Sequence, residues 1–385
     1  MNRRDFLTAT ACTAFAFSGS WSSGVARADD DIILGAAVPL TGPFSLSGRI
    51  YYDALQVAQD DLNAKGGIGG RKTKIIFEDT QSSNTGAINA FVKLYQEYRP
   101  SLMFLSSYST QNVATSPEIL KAEIPVFYAG GARTVSALNN KWMFRIRPED
   151  ALAAIGMAEY AKDGLSKSKP GVLFIQNDFG QGAAGLAIEA FKRQGIEPVG
   201  SEAYGGNDKD MSAQLLSLKA KGADSLLLFC YAVDAALIVQ QVKQLGLGIP
   251  IVASSGLFLP TTANLLSPSD YQNVWGVTDG VLDDSAGGPV KEFMDKYKAR
   301  FKRDADPYAA AYYDAAMIAS DGISKVGADP SKLRDYIAGL QGYKGLAHVY
   351  SFDSARDGVH SVAVVKMKPS SKQIELVKEI TPSLP

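Results

Sequence analysis

The chain has 385 residues, 46% of them hydrophobic, with 39 basic against 40 acidic side chains and a formal net charge of −1. So balanced a composition excludes a disordered tail and offers no basic surface for nucleic acid. The length exceeds the roughly 100 to 200 residues usual for one domain, so two lobes are expected.

The first 28 residues read as an export address. Arg3 and Arg4 precede Asp5, Phe6 and Leu7, an apolar and small-residue run extends to Phe17, and Ala26-Arg27-Ala28 offers a peptidase site. Twin arginines followed by Phe-Leu point to the twin-arginine route, with an ordinary Sec signal as the alternative. The mature chain then starts near Asp29 in the periplasm, and no later apolar stretch approaches the ~18 residues of a membrane span. Cys12 leaves with the signal, so Cys230, after the apolar run Leu226 to Phe229, is read as a buried core thiol.

From Ile32 to Val38 an apolar run reads as a strand, and apolar positions 51, 54, 55, 58 and 62 then follow helical spacing. The alternation continues with strand 74–78, helix 85–98, strand 102–105, helix 113–122 and strand 126–128. A second series begins after Arg145-Ile146-Arg147-Pro148: helix 151–162, strand 172–176, helix 182–194, strand 198–203, helix 211–220, strand 225–229, helix 235–245 and strand 249–253. Residues 271–281 read as extended, and helices at 289–301 and 309–326 return to the first lobe. Short buried strands alternating with amphipathic helices predict an α/β protein of two doubly wound, Rossmann-like lobes. The expected division is 1–28 signal, 29–147 plus 281–353 lobe 1, and 148–280 plus 354–385 lobe 2, with hinge strands near 147, 280 and 355. In such sheets ligands sit beyond the carboxyl ends of the strands, so facing loops should build one cleft.

Two loops stand out as candidate contacts. Ser106-Ser107-Tyr108-Ser109-Thr110 ends a strand and opens a helix, placing hydroxyls and free N–H groups where a carboxylate is favoured. Ala129-Gly130-Gly131-Ala132-Arg133 permits close approach to its backbone, and Arg133 offers a charge for a carboxylate. Gly180, Gly182 and Gly185 match G-x-G-x-x-G after a strand, which keeps an exported NADP-dependent oxidoreductase as an alternative class. Against it, three residues separate strand from first glycine, and the motif opens the second lobe. Gly66 to Thr73 fails the phosphate-loop register and reads as a turn. The only histidines are His348 and His360, and H-E-x-x-H, C-x-x-C and G-x-S-x-G are all absent, so an enzyme reading has no named actors. Asp60-Asp61 and Asp283-Asp284 read as solvated faces.

The element order resembles the periplasmic leucine/isoleucine/valine-binding proteins of ABC importers. The resemblance is carried by Pro39-Leu40-Thr41-Gly42-Pro43 with Gly48, Asp61 to Ile68, Ser107 to Gln111, Asn177 to Gly182, and Tyr312-Tyr313-Asp314-Ala315. It implies a type I periplasmic binding protein fold with three hinge strands, no chemistry and no cofactor, a small-molecule ligand, and a membrane permease as partner. It also implies that Ser107 and the backbone around Gly130 and Ala132 hold the ligand carboxylate and amine, with Ser47, Asp178, Tyr204, Tyr231 and Tyr308 lining the cleft. In two places the chain departs from that pattern. The family's threonine falls on Ala132, and the acid that pairs with the ligand ammonium falls on Ser255. Asp178 or Asp279 is the expected substitute for that acid; otherwise Arg133 with Phe44, Tyr108, Tyr231 and Tyr308 fits an aromatic or small organic acid. A receptor reporting to a signalling protein is a further alternative to an importer subunit.

Overall fold

The computed structural model describes residues 31–282, 287–368 and 374–382; the expected signal segment and the pair Asp283-Asp284 lie outside the described residues. β1 (Ile32–Val38) is apolar or small throughout and almost wholly buried, as a strand covered on both faces must be. α1 (Ser45–Ala64) turns Tyr51, Ala54, Leu55, Ala58 and Leu62 inward at spacings of three and four. There follow β2 (Thr73–Asp79), α2 (Asn84–Tyr98), β3 (Met103–Leu105), α3 (Ser109–Ala122), β4 (Val126–Tyr128), the single-turn α4 (Arg133–Ser136) and β5 (Met143–Pro148).

The second series is α5 (Asp150–Glu159), β6 (Pro170–Ile175), α6 (Asp178–Arg193), β7 (Gly200–Tyr204), α7 (Ser212–Ala220), β8 (Ser225–Phe229), α8 (Ala232–Gln244), β9 (Ile251–Ser254), α9 (Pro260–Ala263) and β10 (Val274–Thr278). The chain then forms α10 (Gly288–Phe301), α11 (Pro307–Val326), α12 (Pro330–Ala338), a small hairpin of β11 (Tyr343–Lys344) and β12 (Val349–Tyr350), and finally β13 (Asp357–Val359), β14 (Val362–Met367) and β15 (Ile374–Ile380).

Two sheets result, ordered β13-β5-β4-β3-β1-β2 and β15-β14-β10-β9-β8-β6-β7. The first is parallel throughout, while β14 and β15 add an antiparallel edge to the second. Both faces of each sheet are covered. In the first, Tyr51, Leu55, Tyr312 and Ala315 pack on one side and Phe91, Leu94 and Ile119 on the other. Leu215, Ile238 and Val239 cover one face of the second sheet, and Met157, Ala187 and Phe191 the other.

The hinge strand expected near 147 is longer than the sequence reading had it, beginning at Met143 and paired with β4 in the first sheet. Residues 143–148 are fully buried, and the carboxylates of Asp357, Asp150 and Asp279 meet Arg145 and Arg147 inside the protein. The third crossing also comes later than 354: β13 still pairs with β5, and the second sheet is entered at Val362.

Candidate functional site

In each sheet the first strand has its second strand on one side and its third on the other, so β1/β3 and β6/β8 are the points where strand order reverses. The two reversal points face one another, and a cavity of about 50 Å³ lies between them. Ser47 and Tyr51 reach it from α1 after β1, Ser107 and Tyr108 from the loop after β3, Gly131 from the loop after β4, and Arg147 from β5. The second sheet contributes Phe179 after β6, Cys230 and Tyr231 after β8, and Ser255, Gly256 and Leu259 after β9. Neither the loop after β2 nor that after β7 lines it, since each follows the strand on the far side of its reversal point.

Hydroxyls dominate one wall. Tyr51 Oη and Ser107 Oγ share a short hydrogen bond, and burial pushes the Tyr51 phenol up, so it stays protonated at neutral pH. Behind them Ser106 Oγ donates to Gln111 Oε1 at 2.9 Å, and Ala132 N–H donates to Ser109 Oγ at 3.1 Å, so the serine run is divided between lining and support.

Aromatic rings cluster beside these hydroxyls. Phe44 stacks on Tyr108 with centroids 3.8 Å apart, and Tyr231 meets Tyr108 edge-on at 5.0 Å and stacks with Phe179 at 5.2 Å. Asn177 Nδ2, at the end of the neighbouring strand of the same sheet, donates to Tyr231 Oη at 3.2 Å and so fixes that ring.

Ser255 Oγ and Tyr308 Oη share a 3.0 Å hydrogen bond that joins the loop after β9 to the start of α11. It ties one lobe to the other. A typical net contribution of about 0.5–1.5 kcal/mol makes Tyr308→Phe expected to weaken ligand binding by about 2- to 10-fold, mainly through faster dissociation; stopped-flow release at an unchanged rate would contradict this.

At the base Arg147 donates through Nε and Nη2 to both oxygens of Asp279 at 2.7 Å, and through Nη1 to Asp150 Oδ1 at 2.7 Å. Gly131 lies directly on this cluster: a Cβ there would stand 1.9 Å from Asp150 Oδ1 and 2.2 Å from Arg147 Nη1.

Of the residues singled out from the sequence, Ser47, Ser107, Tyr108, Tyr231, Ser255 and Tyr308 line the cavity, and the others, Phe44 among them, do not. Gly130 is turned against Asn112, and Ala132 is engaged by Ser109 through its N–H. Arg133 pairs outward with Glu149 at 2.7 Å. Asp178 opens α6 away from the lining, and Tyr204, on the edge strand β7, donates to Asp234 at 2.9 Å. Asp279 has both oxygens committed to Arg147.

Sequence reasoning named the loop that holds Gly131 but chose Gly130 in it, and it missed Tyr51, Arg147, Asp150, Phe179 and Leu259. Two arginines spaced two apart in an apolar run were the available signal. In the glycine motif only Gly180 approaches backbone closely, at Ile175 O, while Cβ atoms at Gly182 and Gly185 would meet nothing within 4 Å. Asn177 caps the helix by accepting from Gly180 N–H, so the motif serves as a helix start packed on its strand.

Comparisons with known proteins agree with this architecture. The sequence matches the periplasmic binding protein family over residues 31–373. It is 26% identical over 351 residues to Leu/Ile/Val-binding protein homolog 7 of Brucella abortus, covering 86% of this chain and 87% of that one. Among solved structures, the branched-chain amino acid transporter substrate-binding protein LivJ of Streptococcus pneumoniae, in complex with isoleucine, superposes with a TM-score of 0.83. It shares 21% identity and covers 91% of this chain and all of that one. A solute-binding protein of an ABC transporter from R. palustris, in complex with benzoate, superposes at 0.81 with 16% identity, covering 92% and 98%. These are binding proteins and not enzymes. The chain belongs to the periplasmic binding protein family.

Proposed function

We propose that this protein is the periplasmic substrate-binding component of an ABC importer, which captures an amino acid of branched-chain type, or another small carboxylate, and delivers it to the permease. The observation that carries this reading is the cavity between two facing strand-order reversals, lined by both hydroxyls and aromatic rings. Such a site suits a small ligand with one polar end and an apolar body. The names of the Brucella relative and of the Streptococcus structure support the amino-acid side. The rings of Tyr108, Phe179 and Tyr231 in the lining and the benzoate-bound structure support a second reading, an aromatic or small organic acid. Rotation of the lobes about the crossings after β5, β10 and β13 would admit and enclose the ligand.

A thermal-shift screen of the mature protein tests the proposal. A ligand at about 100 times its dissociation constant adds about 2.7 kcal/mol of stability. Leucine, isoleucine or valine is expected to raise the melting temperature, and benzoate to do so under the second reading. A protein indifferent to amino acids, aromatic acids and small aliphatic acids alike would overturn both.

A further inference from the structure

The charges at the base of the cavity do not cancel. Arg147, Asp150 and Asp279 are 4%, 5% and 4% exposed, so one guanidinium is buried with two carboxylates. The charged groups around them are already matched or bring no cation. Arg145 pairs with Asp357 at 2.9 Å and Arg133 with Glu149 at 2.7 Å. His348, packed beside Gly280, is held neutral at pH 7 because burial pushes its imidazole down to about 4. Asp306, which caps α11 by accepting from Ala309 N–H at 2.8 Å, is pushed up to about 7 by burial. A surplus of negative charge therefore remains at the ligand end of the cluster.

The two carboxylates are not equivalent. Asp279 gives both oxygens to Arg147 and does not line the cavity. Asp150 lines the cavity and gives only Oδ1 to Arg147; among the described residues no donor is assigned to its Oδ2. Its position is fixed from two sides, by Arg147 and by its own backbone N–H donating to Gly131 O at 2.8 Å. A fixed, nearly buried carboxylate with one open oxygen needs a positive hydrogen-bond donor, since leaving such a charge unpaired in a low-dielectric site is costly.

We infer that Asp150 Oδ2 receives an ammonium group of the ligand, with Arg147 as the positioning residue that holds the carboxylate in place. The hydroxyls of Ser47, Ser107 and Tyr51 line the same cavity and are available to the rest of the ligand. An ammonium brings the site to neutrality, whereas a simple anion adds a second negative charge beside the first. The site accordingly takes amine-bearing solutes in preference to carboxylates of the same shape. This inference rests on the solute-binding reading and narrows its ligand class.

Two matched sets of probes test it by titration calorimetry at pH 7: L-leucine, 4-methylpentanoate and 3-methylbutylamine, and L-phenylalanine, 3-phenylpropanoate and 2-phenylethylamine. In at least one set the amino acid is expected to bind about 100-fold more tightly than the deaminated acid, in line with the loss of a buried charge pair. Asp150→Asn is expected to reduce that ratio below about 10-fold. A deaminated acid that binds the native protein as tightly as its amino acid overturns the inference, as does an Asp150→Asn protein that keeps full discrimination. If the variant does not fold, the ratio in the native protein decides alone. Binding of the acids without the amines leaves the solute-binding reading standing and ends this one; binding of no probe ends both.

Discussion

Replacing Arg147 with methionine is expected to cost about 3–5 kcal/mol of folding stability, the usual result of removing one partner from a buried ionic cluster. The side chain keeps most of its length, so the effect is electrostatic and not a cavity. Asp150 and Asp279 then face each other without the guanidinium that now donates three hydrogen bonds to them. Burial already raises the Asp150 carboxyl above the usual carboxylate range with Arg147 present. Without it, the folded pKa of at least one carboxyl climbs further above the unfolded value of about 4. A carboxyl raised in this way holds its proton in the folded state between the two values. Stability is then fullest below pH 4 and falls as pH rises through the folded pKa. The deficit of Arg147→Met relative to the native protein should therefore be larger at pH 8 than at pH 5, measured by urea unfolding at both. A deficit under 1 kcal/mol, or one independent of pH, would mean that the cluster is not the electrostatic joint described here.

Gly131→Ala should be nearly as damaging for a steric reason. The new methyl group would overlap both Asp150 Oδ1 and Arg147 Nη1, and neither can retreat without breaking the ion pair between them. Overpacking of this kind costs about 1–3 kcal/mol, and the displaced carboxylate should weaken ligand binding by more than about 10-fold, since misplaced charged contacts cost more than 1.4 kcal/mol. Gly182→Ala is the control. Its Cβ would meet nothing within 4 Å inside α6, so helix propensity alone should act and stability should hold or rise by up to about 1 kcal/mol. Thermal unfolding and ligand titration of the two variants side by side decide the matter. Equal behaviour would remove the special role given to Gly131.

Periodicity was enough to read most of the alternating strands and helices, because short apolar runs and amphipathic helices announce themselves within a few residues. What it could not resolve depends on partners far along the chain. Arg145 and Arg147 look incompatible with a buried strand until Asp357 and Asp279 are brought to them, 212 and 132 residues away. The same limit applied to the site. The loops after β1, β3, β8 and β9 were locatable from strand order, and their side chains Ser47, Ser107, Tyr231 and Ser255 line the cavity. Which of two adjacent glycines faces inward, and whether Arg133 points to the cavity or to Glu149, depends on the path of a loop and leaves no periodic trace. Tyr204 was misplaced because nothing local marks its strand as the edge one.

The edge strand β13 closes the first sheet, although its residues are made after the whole of the second lobe's β6–β10. During synthesis, the first four strands, the fifth and their helices must wait for α10 to α12 and for Asp357 to arrive before Arg145 finds its carboxylate. The second sheet waits longer still, for β14 and β15. Neither lobe is a continuous stretch that could finish folding as it leaves the ribosome, and contacts this distant make for slow assembly. β13, β14 and β15 thus act as a completion signal for both halves, and a chain that lacks them leaves both lobes unfinished.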